Sequence, residues 1–307
     1  MKRQLACLAA ACAMFALTAA VQAGSFSGHY PAGVEGIKGG TLPPPGLYLR
    51  DYNLFYTADQ FPDIGPPGFD AFAYVQAPRL VWITDFQIFG GNYGMDALFP
   101  FYYGYVNSDL GGVFPDRTFG LGDIFVEPIT LSWHWKQFDL GMGYGFWTPN
   151  GEYNDDGMHP SRLLGQGFWS HMFTLGGTWY PDAAKTWSAS LLSRYEIHDD
   201  HPDRDFTVGD TYTLEWGLSK ALSKTVEVGV AGYYQAQVTG DSGPASRGIM
   251  DHVVGVGPEI AAFCPKLGMF ASLRYIHEIE SRQRPEGDTF TLTLTKPLGG
   301  PAPASGK

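Results

Sequence analysis

Cysteine is scarce in this chain. Two of its three cysteines, Cys7 and Cys12, lie within the first 23 residues, so the remainder holds only Cys264 and can form neither an intrachain disulfide nor a cysteine-based metal site. Long apolar runs are missing as well. After residue 21 no stretch approaches the roughly 18 uninterrupted apolar residues of a membrane-spanning helix, which excludes a helical membrane protein. Positive charge is in short supply, with 20 Lys and Arg against 31 Asp and Glu. That balance argues against nucleic acid as a partner and against a basic anchor on a membrane surface. The Gly-x-Ser-x-Gly elbow, the phosphate-binding loop and the His-Glu-x-x-His motif do not occur, so the sequence points to no enzyme and no cofactor.

What abounds is glycine, 40 of 307 residues, and aromatic side chains, with 21 Phe, 8 Trp and 17 Tyr. Such a chain is too aromatic for disorder and lacks the Gly-X-Y period of collagen. The mean hydropathy of −0.12 suits a soluble protein, but it equally suits a membrane β-barrel, whose lipid-facing and lumen-facing residues alternate and cancel.

The first residues have the pattern of a secretory signal. Lys2 and Arg3 precede an apolar run from Leu5 to Leu17, and Val21-Gln22-Ala23 offers small residues for cleavage, which makes residues 1–23 a leader and Gly24 the first mature residue. Without Lys2 and Arg3 the balance is 18 basic against 31 acidic residues, a net charge of −13. Residues 24–46, with Pro43-Pro44-Pro45, are too rich in Pro and Gly to span a membrane; the segment either plugs a lumen or hangs free.

From Leu121 onward the sequence alternates with period two. Phe138, Leu140, Met142, Tyr144 and Phe146 oppose Asp139 and three glycines, and Tyr212, Leu214, Trp216 and Leu218 oppose Thr211, Thr213, Glu215 and Gly217. A soluble sandwich shares this alternation. The connections discriminate better. Tight turns at Lys136-Gln137, Pro181 to Lys185, Ser219 to Lys224 and Pro265-Lys266 alternate with longer loops at Asn150 to Gly167, Asp199 to Phe206, Thr239 to Ile249 and Ser281 to Gly287, as an up-and-down barrel with short periplasmic turns requires. Two aromatic girdles are expected at the strand ends: Trp133, Trp135, Phe138, Trp179, Tyr180 and Trp187 beside the short turns, and Phe146, Trp147, Phe168, Trp169 and Tyr212 beside the long loops.

The expected fold is therefore all-β, a transmembrane up-and-down antiparallel barrel of about twelve strands over residues 47–296, followed by a tail, 297–307. Separate strands are expected at Phe69 to Ala77 and from Leu80 onward, with Thr84 to Phe119 the hardest stretch to divide because Gly90-Gly91 and Gly111-Gly112 interrupt any alternation. Pro128 implies a bulge, with outward parity changing from Ile124 and Val126 to Leu131 and Trp133. An even strand count places both termini in the periplasm of a Gram-negative cell.

This parity turns Asp123, Glu127, Asp139, Arg194, Glu196, Glu215, Glu227, Glu259, Arg274 and Glu278 toward the lumen, with Tyr233 beside the passage. Glu215, Glu227 and Glu259 would then crowd neighbouring strands, so Arg274 and Arg194 are expected to lean into the cluster and narrow the passage; the bland alternative is polar filling of the interior. Asn154, Asp155 and Asp156, like His198, Asp199, Asp200, His201 and Asp203, are metal ligands by type, but acidic outer loops are commonly just solvated or bridged to lipopolysaccharide, and no specific metal site is assigned. A hydrolase would need a serine with a matching histidine, and Ser170 and Ser193, both read as lipid-facing, have none.

Several segments carry a family likeness: His29-Tyr-Pro-Ala-Gly33, Pro43-Pro-Pro-Gly46-Leu-Tyr48, Gly120-Leu-Gly-Asp123 leading to Pro128, Thr148-Pro-Asn-Gly-Glu-Tyr153, Tyr233-Tyr-Gln-Ala-Gln-Val-Thr-Gly-Asp241, Gly255-Val-Gly-Pro258-Glu259, and the Glu278 to Phe290 region. In order and over nearly the whole mature chain, these resemble the outer-membrane transporters named for meta-pathway phenol degradation. The resemblance implies an outer-membrane barrel for passive uptake of small hydrophobic or aromatic compounds, with outer-membrane lipid, lipopolysaccharide and the barrel-assembly machinery as partners. A structural or adhesive barrel with a sealed lumen is the alternative. The chain departs from the family pattern in ending on a tail rather than an aromatic residue.

Overall fold

The computed structural model describes residues 28–63, 65–107, 118–153, 164–202, 205–244 and 250–299. The expected leader, the loop residues Asn154, Asp155, Asp156 and Asp203, and the tail beyond Gly299 lie outside the described residues.

Among the described residues fourteen strands form the wall: β1 (Gly46–Gln60), β2 (Asp70–Ile88), β3 (Gly91–Leu98), β4 (Phe101–Asn107), β5 (Thr118–Leu121), β6 (Phe125–His134), β7 (Phe138–Trp147), β8 (Ser170–Trp179), β9 (Trp187–His198), β10 (Thr211–Ala221), β11 (Val226–Gln237), β12 (His252–Cys264), β13 (Met269–Arg282) and β14 (Glu286–Gly299). All pairings are antiparallel, and β1 pairs with both β14 and β2, which closes the ring. β3 and β4 lie end to end along β2, and β6 and β5 continue one another beside them. The wall is thus a closed barrel of twelve staves.

The number agrees with the sequence reading, but one division does not. No turn separates residues 77 and 80: β2 runs through Pro78 as a single strand of 19 residues. Proline is tolerated there because the neighbouring stave is broken opposite it, at Phe99-Pro100, and the Pro78 carbonyl accepts the Phe99 N–H at 3.0 Å. The turn comes at Phe89-Gly90, where both residues have positive φ, 50° and 78°, as a two-residue hairpin requires. The stave that sequence reading missed is 91–107. Its break at Phe99-Pro100 abuts the break between β5 and β6, where Gly122 N donates to Pro100 O at 2.8 Å. The bulge at Pro128 is present: pairing slips between Val126↔Phe146 and Ile129↔Tyr144.

The exposure pattern is that of a soluble protein turned inside out. Leu175, Leu191, Leu218 and Leu273 are each more than half exposed on the outside, while Thr211, Thr213, Glu215 and Arg274 are buried within. Trp135, Trp179 and Trp187 stand exposed at the short-turn rim, in the girdle expected there. Trp147, Phe168 and Tyr180 do not belong to a girdle. Each is buried and points inward, Trp147 stacking on His29, Phe168 meeting His29 and His198 edge-on, and Tyr180 donating its hydroxyl to Asp139. The long loop expected over 281–287 is also shorter, since only Gln283 to Pro285 separate β13 from β14. Both barrel ends lie at the short-turn rim, with Leu47 paired to Gly299, so β14 extends three residues into the expected tail.

Candidate functional site

Residues 28–45 enter no strand, yet they run down the inside of the barrel from the long-loop end to the short-turn rim, where they lead into β1. A chain in that position must satisfy its peptide groups without a sheet. The wall charges do so. Glu196 accepts the Tyr30 N–H at 3.3 Å, Glu215 the Glu35 N–H at 3.0 Å, and Glu259 the Ile37 N–H at 2.9 Å. In the other direction, Arg274 donates to the carbonyls of Gly33 and Val34 at 3.1 and 2.6 Å, and Gln235 donates to that of Tyr30 at 2.8 Å. Charge-assisted bonds of this kind are about twice as strong as neutral ones.

Side chains add further ties. The Tyr30 hydroxyl donates to Glu215, and Arg194 pairs with Glu215 at 2.6 Å while lying 4.1 Å over the Tyr30 ring. Lys38 pairs with Glu227 at 2.5 Å, and Thr41 donates to Asp139 at 3.1 Å. Tyr233 lies under Gly33, where a Cβ would come within 2.8 Å of its ring, and donates to Glu278 at 2.7 Å. The crowding of Glu215, Glu227 and Glu259 is thus relieved by one cation each, Arg194, Lys38 and Arg274, of which Lys38 comes with the segment itself. Glu278 and Glu127 do not touch the segment in any of these bonds. Glu278 also accepts from Tyr56 and Gly287 N, and Glu127 takes Arg79, which binds Asp96 through two nitrogens at 2.8 Å.

Sequence reading missed Glu35, Arg50, Arg79 and Asp96. Glu35 meets Arg50 at 2.5 Å, the Tyr52 hydroxyl at 2.6 Å and Arg79 at 3.8 Å. Burial pushes its carboxyl up, but the guanidinium groups of Arg50, Arg194 and Arg79 outweigh it and hold the group below the usual carboxylate range. A usable signal existed for Arg50, because Tyr48, Arg50, Tyr52 and Leu54 share one face of β1 by period two. Arg79 was hidden by being assigned to a turn.

At the long-loop end the segment is held by a chain of hydrogen bonds. His29 Nε2 lies 3.0 Å from Asp123, its Nδ1 lies 2.7 Å from Ser170 Oγ, Ser170 Oγ lies 2.6 Å from His198 Nδ1, and His198 Nε2 lies 3.3 Å from Thr211 Oγ1. With neutral histidines one set of directions satisfies every member: Thr211 donates to His198, His198 to Ser170, Ser170 to His29, and His29 to Asp123. Asp123 also accepts the loop amides of Gly151 and Gln166, so wall, loop and inner segment share one carboxylate. Burial lowers the His29 pKa, against the opposing pull of Asp123. The expectation that Ser170 faces lipid without a histidine is overturned, for it is fully buried on the lumen side between two. Because it has no exposed surface, the contact has the geometry of a latch.

Beside the segment lies a small chamber with a cavity volume of about 40 Å³, partly open to solvent. Val75, Ala77, Leu98, Phe125, Trp147 and Met172 give it an apolar lining, and Pro100 and Tyr102 place it against the broken staves. The guanidinium groups at its edge, Arg79 and Arg194, are already paired with carboxylates. The buried Trp147 indole N–H has no partner among the described residues.

A closed barrel of twelve antiparallel staves, apolar outside and polar within, is the architecture of an outer-membrane β-barrel. The chain belongs to the family described as "Putative MetA-pathway of phenol degradation", which matches it over residues 55–294. Among solved structures it is similar to an outer membrane channel from Pseudomonas putida F1, at 14% identity and a TM-score of 0.71, over 88% of this chain and 99% of that one. The β domain of the Bordetella autotransporter BrkA, at 11% identity and a TM-score of 0.47 over 83% and 100% of the two chains, and the KdgM porin, at 9% and 0.42 over 82% and 99%, are looser matches that carry no argument. No curated protein matches the sequence.

Proposed function

We propose that this protein is an outer-membrane channel for passive uptake of small hydrophobic or aromatic compounds, held shut in this conformation by residues 28–45. The observation that carries the reading is the chamber beside that segment. Its lining is apolar, and its edge charges neutralise one another, so it suits an uncharged solute better than an ion. The unpartnered Trp147 N–H supplies one hydrogen-bond donor, which a phenolic or ketonic oxygen would satisfy. Passage needs the segment to move.

Proteoliposomes containing the full barrel, loaded with a fluorescent reporter of phenol or toluene entry, test the reading. Entry faster than in protein-free vesicles, and faster still once residues 28–43 are deleted, supports it. A barrel that admits no solute even after the deletion would be a sealed structural element.

A further inference from the structure

Charge is sorted along the barrel axis. All seven lysines among the described residues lie at the short-turn end. Lys38 is inside, paired with Glu227. The other six ring the rim: Lys136 between β6 and β7, Lys185 between β8 and β9, Lys220 and Lys224 around the β10–β11 turn, Lys266 between β12 and β13, and Lys296 near the end of β14. All but the half-buried Lys185 are exposed. Of the acidic residues at this rim, Asp182 is engaged by its own turn, accepting the amides of Thr186 and Trp187, and Asp85 lies on β2, the side of the barrel the lysines leave bare. The opposite rim is acidic, with Asp59, Asp199, Asp210, Asp241 and Glu280.

The lysines also sit at a defined depth. Lys220 and Lys296 continue the outward faces of β10 and β14, each next in line after apolar residues such as Leu218 and Leu292. Lys220 Nζ lies 4.7 Å from the ring of Trp187, an exposed tryptophan of the lower girdle, and Lys136 follows Trp135, another. Amphipathic rings mark the headgroup level, and lysine stems lie on apolar surface while their ammonium groups reach water or phosphate. A ring of single charges spread from β6 to β14 matches many small anions in a plane better than one folded partner, which would need a focused patch.

We propose that this rim binds the phosphate headgroups of anionic glycerophospholipids in the leaflet that meets the short turns. The net charge of −13, which argued against any basic membrane surface, averages over a molecule whose two ends carry opposite sign. The proposal is independent of what passes through the lumen.

Native mass spectrometry of the refolded full chain tests it, with phosphatidylglycerol and phosphatidylethanolamine supplied in equal amounts. Phosphatidylglycerol adducts should dominate severalfold, and each lysine replaced should lower their occupancy about fivefold. The K136Q/K220Q/K224Q/K266Q/K296Q variant should then show no preference. Should that variant fail to fold, Lys220→Gln and Lys296→Gln singly must each reduce the ratio, while Asp199→Asn at the other rim must not. Equal adducts of the two lipids, a preference unchanged in the lysine variants, or full competition by millimolar inorganic phosphate would each overturn the proposal.

Discussion

Glu259 and Arg274 face one another directly across β12 and β13, 3.0 Å apart, and grip the inner segment together: the carboxylate takes the Ile37 N–H and the guanidinium supplies donors to Gly33 and Val34. Removing one member of such a buried pair strands the other, at about 3–5 kcal/mol. Arg274→Leu should therefore unseat the segment and raise single-channel conductance in planar bilayers. Glu259→Gln keeps an acceptor for Ile37 and should open the barrel less. Equal conductance in both variants and the parent protein would show that these two residues do not govern closure.

Gly40 packs backbone to backbone on Gly177, and a Cβ on Gly40 would lie 2.4 Å from the Gly177 nitrogen. Neither partner has a side chain to move aside. Gly40→Val should expel the lower part of the segment while β8 keeps its pairing, giving conductance close to that of a 28–43 deletion. Heat-modifiable migration on gels would show that the barrel itself still folds.

His29 titrates with its seat. Docked, its pKa lies below the ordinary 6.5 because burial disfavours the charged ring; released into water, it returns to that value. The released state then binds more protons between the two values, so docking is fully favoured above about pH 6.5 and weakens as pH falls below it. Opening events should become more frequent from pH 7.5 to 5.5 in bilayer recordings. His29→Phe, which fills the space beside Trp147 and Phe168 without titrating, should flatten that dependence.

Trp147 is expected to discriminate among solutes. Trp147→Phe keeps an aromatic wall but removes the unpartnered N–H, so phenol entry into proteoliposomes should fall more than toluene entry. A loss of one hydrogen bond corresponds to about 0.5–1.5 kcal/mol, or roughly two- to tenfold. Equal effects on both solutes would place the indole away from their path.

Leu191 is 58% exposed in the middle of β9, and its neighbour Leu192 is buried on the lumen side. Arginine at residue 191 should cost about 2–4 kcal/mol of folding into vesicles, as charged groups do at the midplane of a bilayer. Measured by urea titration in lipid, a cost below about 1 kcal/mol would move Leu191 out of the hydrocarbon.

Much of this architecture was legible because a barrel wall repeats one instruction, alternation with turns of unequal length. The face of Glu215, Glu259 and Arg274 followed from parity alone. Reading failed where a residue's role was set by something other than its own strand. Trp147 and Tyr180 resembled girdle residues by position along the chain, but inner partners claimed them. Pro78 looked like a turn because its tolerance depends on a break in the neighbouring stave. The segment holding His29, Tyr30 and Lys38 has no periodicity at all, since its conformation is dictated by side chains scattered around the barrel from β1 to β13.

Pro43, Pro44 and Pro45 join the inner segment to β1 at Gly46, and the Pro44 carbonyl is itself held by the Tyr48 hydroxyl at 2.9 Å. A stopper on so short and stiff a leash cannot drift away once dislodged. It stays at an effective concentration on the order of millimolar beside its own socket. Under the closure proposed above, each opening would be a reversible excursion that ends by itself, with a duration set by the tether and independent of how many copies of the protein the membrane holds.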